Sequence, residues 1–131
     1  MKKYLLDTHY IIWLLLDVSK INKAVLNTIQ NVENRIYYSD ISLWEIAIKT
    51  KTGKLKIGRN LKTLPEAMKI QNIDILPLKQ SHIFETLEIP LFENHRDPFD
   101  RLLIAQAKIE NLTLISDDAK FDLYPEIERI W

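Results

Sequence analysis

The sequence contains no cysteine, which excludes disulfide bonds and thiolate metal sites. Its three histidines, His9, His82 and His95, lack the close pairing that is typical of a zinc site. No apolar run approaches the roughly 20 residues that a membrane-spanning helix needs, and the longest, residues 10–16, ends at Asp17. Any metal bound by this chain is therefore expected to be a hard cation held by oxygen atoms, and no membrane association is expected.

The N-terminal residues have little of what a secretion signal requires. They are basic, but only a short apolar stretch precedes Asp7, and no small-residue cleavage site follows. A signal peptide is not expected, so the protein is expected to stay in the cytoplasm. The length of 131 residues and the hydrophobic content of 47% suit one domain over residues 1–131 with its own core.

The charge shows no excess of either sign, with 18 basic and 18 acidic residues. This balance argues against a protein that binds nucleic acid simply by being polycationic. The distribution is uneven, because no acid occurs between Lys49 and Lys62. This basic stretch predicts either a surface that follows a phosphate backbone or a solvated helix end and loop. Its members are Lys49, Lys51, Lys54, Lys56, Arg59 and Lys62.

Short apolar segments typical of strands alternate with helical segments along the chain. This alternation predicts an α/β fold with a central parallel sheet of four to five strands and helices on both faces. The predicted strands are residues 3–6, 36–39, 73–76, 112–116 and 127–131. The predicted helices cover residues 10–16, 22–33, a segment that begins at Ser42, and residues 61–71, 80–87 and 98–110.

Acidic residues recur where the predicted strands end. Asp7 closes the first strand, Glu45 lies one turn into the helix after the second, and Asp117 and Asp118 follow the fourth. Asp100 lies in the first turn of the helix that leads into the fourth strand. Open parallel sheets place their sites outside the carboxyl ends of the strands, and clustered carboxylates are unfavourable unless a cation lies among them. The pattern predicts a site for Mg²⁺ or Mn²⁺.

Most of these acids also have a structural interpretation at the start of a helix. Ser42 and Glu45 form the pattern of a capping box. Asp97 is placed to cap the helix after it, Asp118 to cap a short helix, and Asp7 to cap the helix that follows the first strand. From the residues alone, the capping and metal-binding interpretations both stand.

Four blocks of sequence together resemble the PIN-domain ribonucleases, in particular the VapC-type toxins of bacterial toxin–antitoxin pairs. The resemblance runs over essentially the whole chain, and the blocks come in the family's order. They are Tyr4-Leu5-Leu6-Asp7-Thr8-His9, Ser39-x-x-Ser42-x-Trp44-Glu45-Ile46-Ala47-x-Lys49, His95-Arg96-Asp97-Pro98-Phe99-Asp100-Arg101-Leu102-Leu103-Ile104-Ala105, and Leu114-Ile115-Ser116-x-Asp118.

The resemblance implies a metal-dependent endoribonuclease that hydrolyses RNA with Mg²⁺ or Mn²⁺. The implied metal ligands and catalytic residues are Asp7, Glu45, Asp100 and Asp118. The family commonly has a small or basic residue where this chain has Asp117, so either Asp117 or Asp118 faces the metal, and spacing favours Asp118. The remaining candidates are Thr8 and Ser116 as supporting groups, Arg96, Arg101 and Lys49 as phosphate contacts, and Trp44 either as a core residue or as a platform for a base.

The resemblance further implies a cognate antitoxin protein and a homodimer. The alternative function is a PIN-like module that keeps the fold but only binds or scaffolds. Members of that kind usually lack one or more of the four acids, whereas all four positions are filled here. The endoribonuclease is therefore the favoured hypothesis.

Overall fold

A five-stranded parallel sheet in the order β3-β2-β1-β4-β5 lies at the centre of the protein, in a computed structural model that describes residues 1–131. Every neighbouring pair of strands is parallel. The strands are β1 (Lys3–Leu6), β2 (Arg35–Ser39), β3 (Ile73–Leu76), β4 (Thr113–Ile115) and β5 (Arg129–Ile130). The predicted α/β class is confirmed.

Six α-helices and three short 3-10 segments connect the strands. The helices are α1 (Thr8–Leu16), α2 (Lys23–Gln30), α3 (Asp40–Lys51), α4 (Leu64–Ile70), α5 (Gln80–Glu85) and α6 (Pro98–Glu110). The 3-10 segments are Val18–Lys20, Leu61–Thr63 and Ala119–Leu123. None of the helices is both long and apolar enough to cross a lipid bilayer.

The two faces of the sheet carry separate hydrophobic cores. Tyr4 and Leu6 of β1 pack with residues of α1, α2, α3 and α4 on one face. Leu5 points the other way and packs with Leu114 and residues of α6 on the opposite face. This alternation follows from the two-residue period of a strand, and it explains why the central strand is apolar at successive positions.

Several helix boundaries differ from the predicted ones for local reasons. The helix predicted over residues 22–33 ends at Gln30, and Val32 beyond it is exposed. The helix predicted from Ser42 begins at Asp40 instead, because the Ser39 hydroxyl accepts a hydrogen bond from the backbone N–H of Ile41 at 3.0 Å. The capping-box interpretation of Ser42 with Glu45 was therefore wrong, since the cap lies three residues earlier.

Other segments are shorter than predicted. The helix predicted over residues 61–71 is divided into a 3-10 turn and α4, with Pro65 in the first turn of α4. The helix predicted over residues 80–87 ends at Glu85, and the terminal strand predicted over residues 127–131 is reduced to the two residues of β5. These differences leave the order of the elements unchanged.

Replacing Leu5 with alanine should lower the free energy of unfolding by about 2–5 kcal/mol, because the side chain is fully buried in the central strand and leaves a cavity. Urea denaturation followed by circular dichroism measures this change. The control is Val32→Ala, where the side chain is 84% exposed and a change within about 0.5 kcal/mol is expected. Equal losses for the two variants would contradict the assigned core.

Candidate metal centre

The predicted acids gather at the carboxyl end of the sheet. Strand β1 lies between β2 and β4, so the ends of three adjacent strands meet at one edge. The backbone N–H of Asp7, just beyond β1, donates to the carbonyl oxygen of Ile115 at the end of β4 (2.9 Å). The chain then enters α1, while α3 begins directly after β2. Sites in open parallel sheets lie at this edge.

Asp7 is a buried carboxylate at the middle of this edge, with 5% of its surface exposed. Its Oδ1 accepts a hydrogen bond from the backbone N–H of His9 (2.7 Å), which caps α1, and its Oδ2 accepts one from the hydroxyl of Ser116 (2.5 Å). Burial raises the pKa of Asp7 above its ordinary value, against the two hydrogen bonds, which lower it. The ionised form is thus unfavourable here unless positive charge is supplied.

Glu45 is held by Thr8, the residue that follows Asp7 in the chain. The Thr8 hydroxyl lies 2.8 Å from Oε1 of Glu45 and 2.9 Å from the hydroxyl of Ser42. A hydroxyl carries one proton, so Thr8 donates to the carboxylate and accepts from Ser42. Oε2 of Glu45 forms an ion pair with Lys49 Nζ at 2.8 Å, the i, i+4 spacing on α3. Both oxygens of Glu45 therefore have partners within the protein.

Asp100 lies in the first turn of α6, which Asp97 caps by accepting the backbone N–H groups of Phe99 (2.8 Å) and Asp100 (3.0 Å). The capping interpretation of Asp97 is confirmed. Oδ2 of Asp100 lies 2.9 Å from Nε2 of His95. Burial raises the pKa of Asp100 to about 6, although the hydrogen bond from His95 lowers it. The charge of Asp7 also contributes to the rise, which means that the two carboxylates are neighbours.

His95 and Tyr124 are two residues of this centre that the sequence analysis did not select. Both are buried, and Nδ1 of His95 lies 2.7 Å from the Tyr124 hydroxyl. His95 lies inside one of the four blocks, five residues before Asp100, and this spacing was the available sequence signal that it belongs to the site. Tyr124 lies 29 positions further along the chain, and no local pattern links it to the site.

The acids form two adjoining groups that use Asp117 and Asp118 separately. Asp7, His9 and Asp117 each offer a ligand atom within 4.8 Å of the others, and so do His95, Asp100 and Asp118. Glu45 belongs to neither group. Asp118 also caps the 3-10 segment after it, by accepting the backbone N–H of Lys120 at 3.0 Å. Two consecutive aspartates thus serve different halves of the centre, and the predicted capping role of Asp118 is present as well.

The donor atoms of this centre fit a hard divalent cation. Most of them are carboxylate oxygens, which Mg²⁺ and Mn²⁺ prefer. Burial raises the pKa of Asp7 and of Asp100, so both carboxylates would be stabilised by a positive charge. Lys49 pairs with Glu45, whereas no lysine or arginine forms an ion pair with Asp7, Asp100, Asp117 or Asp118.

Arg101 has a different position from the one expected for a phosphate contact. Its guanidinium donates to the backbone carbonyl oxygens of Pro90 (2.8 Å), Thr86 (2.9 Å) and Ile89 (3.0 Å). Three carbonyl partners use most of the donors of the guanidinium, so this side chain fastens the loop before α6. Arg96 is exposed and forms no ion pair, which leaves its charge available at the surface.

The basic stretch beyond Lys49 is exposed and forms no ion pair, as the solvated interpretation expects. Only Lys49 contacts an acid of the centre. Trp44 is 57% exposed on α3, so its interpretation as a core residue was wrong. Its ring meets Phe99 edge to face, with 5.3 Å between ring centroids. Phe99 is half-buried and adjoins Asp100 in sequence, which places the exposed ring of Trp44 close to the acids.

Among these acids Asp117 is exposed and Asp100 and Asp118 are partly exposed, whereas Asp7 is buried. A depression of about 490 Å³ is found elsewhere, at the opposite end of the sheet, where the residues before β1 meet the end of α6. Its lining contains none of the acids described above. Partly exposed acids, together with the exposed side chains of Trp44 and Arg96, suit a large substrate better than an enclosed small molecule.

Replacing Asp100 with asparagine should stabilise the metal-free protein by about 1–2 kcal/mol at pH 8. Burial raises the pKa of Asp100 from 3.8 to about 6 in the folded protein, so folding favours the protonated carboxyl. The stabilisation of the folded protein by the protonated Asp100 is fully present below pH 3.8 and is lost as the pH rises through 6. The advantage of the variant should therefore shrink toward zero at low pH.

Urea denaturation in EDTA at several pH values measures this dependence. Asp74→Asn is the control, because Asp74 is exposed on β3 and should show no comparable change. A variant that is less stable than the wild type at pH 8 would contradict the assigned electrostatics.

Comparisons with known proteins agree with this architecture. Residues 4–127 match the family model of the PIN domain. No curated protein sequence matches the chain. Among solved structures, DNA-bound VapBC from Salmonella typhimurium matches at 18% identity with a TM-score of 0.69, covering 99% of this chain and 98% of that one.

Two further structures are similar to a comparable degree. VapBC2 from Rickettsia felis, bound to a DNA fragment from its promoter, matches at 19% identity with a TM-score of 0.67, covering 98% of this chain and 97% of that one. VapBC-1 from nontypeable Haemophilus influenzae matches at 18% identity with a TM-score of 0.64, covering 98% and 96%. At these identities the likeness concerns the fold.

Proposed function

The chain belongs to the PIN domain family, and from that premise we propose that it is a metal-dependent endoribonuclease, the toxin of a toxin–antitoxin pair. The observation that carries the proposal is the pair of adjoining acidic groups at the carboxyl end of the sheet. Burial raises the pKa of Asp7 and of Asp100, which favours a bound cation. PIN domains are nucleases, and nucleases that act through divalent metal need such a set of oxygen ligands.

Asp7 and Asp100 are the proposed principal ligands, with Asp118 completing the group around Asp100 and Asp117 lying in the group around Asp7. A bound Mg²⁺ or Mn²⁺ would supply Lewis acidity, activating a water and stabilising charge on a phosphate oxygen. Glu45, held by Thr8 and Lys49, is the proposed group that would orient this water. Ser116 keeps Asp7 in position through its hydroxyl.

An RNA strand is the proposed substrate because of the exposed side chains near the acids. The exposed ring of Trp44, which packs against Phe99, offers an aromatic surface on which an unpaired base can stack. Arg96 is an exposed cation four residues before Asp100 and is the proposed phosphate contact. Arg101 is not part of this proposal, because its donors are occupied by backbone carbonyl oxygens.

A cognate antitoxin and a homodimer are the proposed protein partners, acting with this chain in the cytoplasm. The VapB and VapC chains of the similar structures are found together in complexes. Large apolar side chains on and after α5 are exposed, and exposed apolar side chains that lie together mark protein interfaces. They are Ile83, Phe84, Leu87 and Leu91.

Asp7→Asn and Asp100→Asn should each abolish cleavage of RNA while leaving the protein folded. Removing a direct ligand should cost more than the roughly 10–100-fold typical of groups that only support a ligand. The measurement is cleavage of total cellular RNA by the purified, antitoxin-free protein with Mg²⁺ or Mn²⁺, compared with EDTA, and with sequencing of the fragment ends. Asp74→Asn changes an exposed acid of β3 that belongs to neither acidic group, and this variant should cleave RNA like the wild type.

Discrete fragments that disappear with chelator and with either substitution are the expected result. If the folded wild type cuts no RNA with either metal, the catalytic proposal fails, and the chain is a PIN-like binding or scaffold module.

Asp118→Asn should reduce cleavage more than Asp117→Asn. Asp118 shares a group with Asp100 and is only partly exposed, whereas Asp117 is exposed and shares its group with Asp7. We expect a loss of roughly 100-fold for Asp118→Asn and of roughly tenfold or less for Asp117→Asn, measured as initial rates of cleavage at saturating Mn²⁺. The reverse order would assign the fourth acid to Asp117.

A further inference from the structure

We propose that Tyr124 and His95 are positioning residues, which hold Asp100 in the orientation that a metal requires. This inference rests on the proposed metal-dependent function. The three side chains, called here the Tyr124–His95–Asp100 triad, form one hydrogen-bonded line that ends at a candidate ligand.

The triad is continuous and mostly withdrawn from solvent. The Tyr124 hydroxyl lies 2.7 Å from Nδ1 of His95, and Nε2 of the same ring lies 2.9 Å from Oδ2 of Asp100. His95 and Tyr124 are both buried. Both ring nitrogens therefore have protein partners, and rotating the ring would break both hydrogen bonds.

The direction of the hydrogen bonds follows from the ionised carboxylate that a metal needs. An ionised Asp100 can only accept, so Nε2 of His95 carries the proton and donates to Oδ2. In the neutral ring Nδ1 is then the acceptor, and the Tyr124 hydroxyl donates to it. Burial raises the pKa of Tyr124, which keeps this hydroxyl protonated. The triad is thus polarised toward the carboxylate, as in ligands oriented by an outer hydrogen bond.

Aromatic packing fixes the ring of His95 from its other sides. The ring meets Phe121 edge to face at 5.3 Å, and Tyr124 meets Phe92 in the same way at 5.3 Å. The backbone N–H of His95 also donates to the carbonyl oxygen of Phe92 at 3.1 Å. These contacts oppose a shift of the ring and so favour one position for Oδ2 of Asp100.

The second carboxylate oxygen of Asp100, Oδ1, is left without a hydrogen bond from the protein. No side chain or backbone group of the protein donates a hydrogen bond to Oδ1, whereas Oδ2 accepts from His95. A carboxylate oxygen of Asp118 lies within 4.8 Å of a carboxylate oxygen of Asp100. The triad therefore uses one carboxylate oxygen for orientation and leaves the other for the cation that it would share with Asp118.

The test compares the Mn²⁺ affinity of Tyr124→Phe, His95→Leu and His95→Gln with that of the wild type. The electron paramagnetic resonance signal of free Mn²⁺ measures binding, and RNA cleavage is measured in parallel. Tyr124→Phe removes one oxygen and should weaken Mn²⁺ binding roughly tenfold, while His95→Leu should weaken it by roughly 100-fold. His95→Gln keeps a donor near the position of Nε2 and should recover most of the loss.

Tyr4→Phe is the matched control, because Tyr4 is a buried tyrosine in the part of β1 remote from the acids, and its Mn²⁺ affinity should equal that of the wild type. A purely structural role would lower thermal stability without changing Mn²⁺ affinity or showing rescue by glutamine. Unchanged Mn²⁺ affinity in folded Tyr124→Phe overturns the proposal, and this variant decides alone if His95→Leu does not fold. If the wild type binds Mn²⁺ and the variants show these shifts in affinity, yet the wild type cuts no RNA, the triad is supported and the proposed function is contradicted.

Discussion

The burial of the Asp7 carboxylate at the end of the central strand is the constraint on which the rest of the site depends. A buried carboxylate is unfavourable unless hydrogen bonds or positive charge compensate it. The Ser116 hydroxyl and the backbone N–H of His9 compensate it only in part, since its pKa stays above the ordinary value. Asp100 and Asp117 add further negative charge nearby. The protein therefore keeps an electrostatic strain that a more stable sequence would remove, which is typical where activity and stability oppose each other.

Ser116 connects the acids at the carboxyl end of the sheet with strand β5. Its hydroxyl donates to Asp7 and accepts the backbone N–H of Asp118 at 3.1 Å, so one oxygen fixes two acids. Its backbone N–H donates to the carbonyl oxygen of Ile130, and its own carbonyl oxygen accepts from the guanidinium of Arg129 at 3.0 Å. The short strand β5 therefore anchors Ser116, the residue that positions Asp7. Helix α6 reaches the same edge separately, through its Asp97 cap and the contact of Asp100 with His95.

The sequence was sufficient for the order of the elements because each strand is a short apolar run with a polar or acidic boundary, a pattern that is local. It was insufficient where a choice depends on distant contacts. Ser42 with Glu45 has the spacing of a cap, but the point where the chain leaves the sheet makes Ser39 the cap. Arg101 resembles a free cation in sequence, but its three carbonyl partners lie 11 to 15 residues away in a loop without regular structure. Helix α6 and strand β4 lie between His95 and Tyr124 in the chain, so the two side chains meet only in the folded protein. The acids were visible because parallel strands bring their carboxyl ends together, whereas their individual roles depend on geometry that no spacing encodes.

The hydrogen bond between Ser116 and Asp7 spans 109 positions of the chain. During synthesis, β1, α1 and β2 leave the ribosome long before β4 exists, and a parallel strand must wait for its partner. A nascent chain that has not yet released β4 and β5 lacks Ser116, Asp118 and the anchor at Ile130, so the acidic groups cannot assemble on it. The candidate metal centre is consequently incomplete until β4 and β5 have left the ribosome. Any chemistry that needs these acids together can begin only on the finished chain.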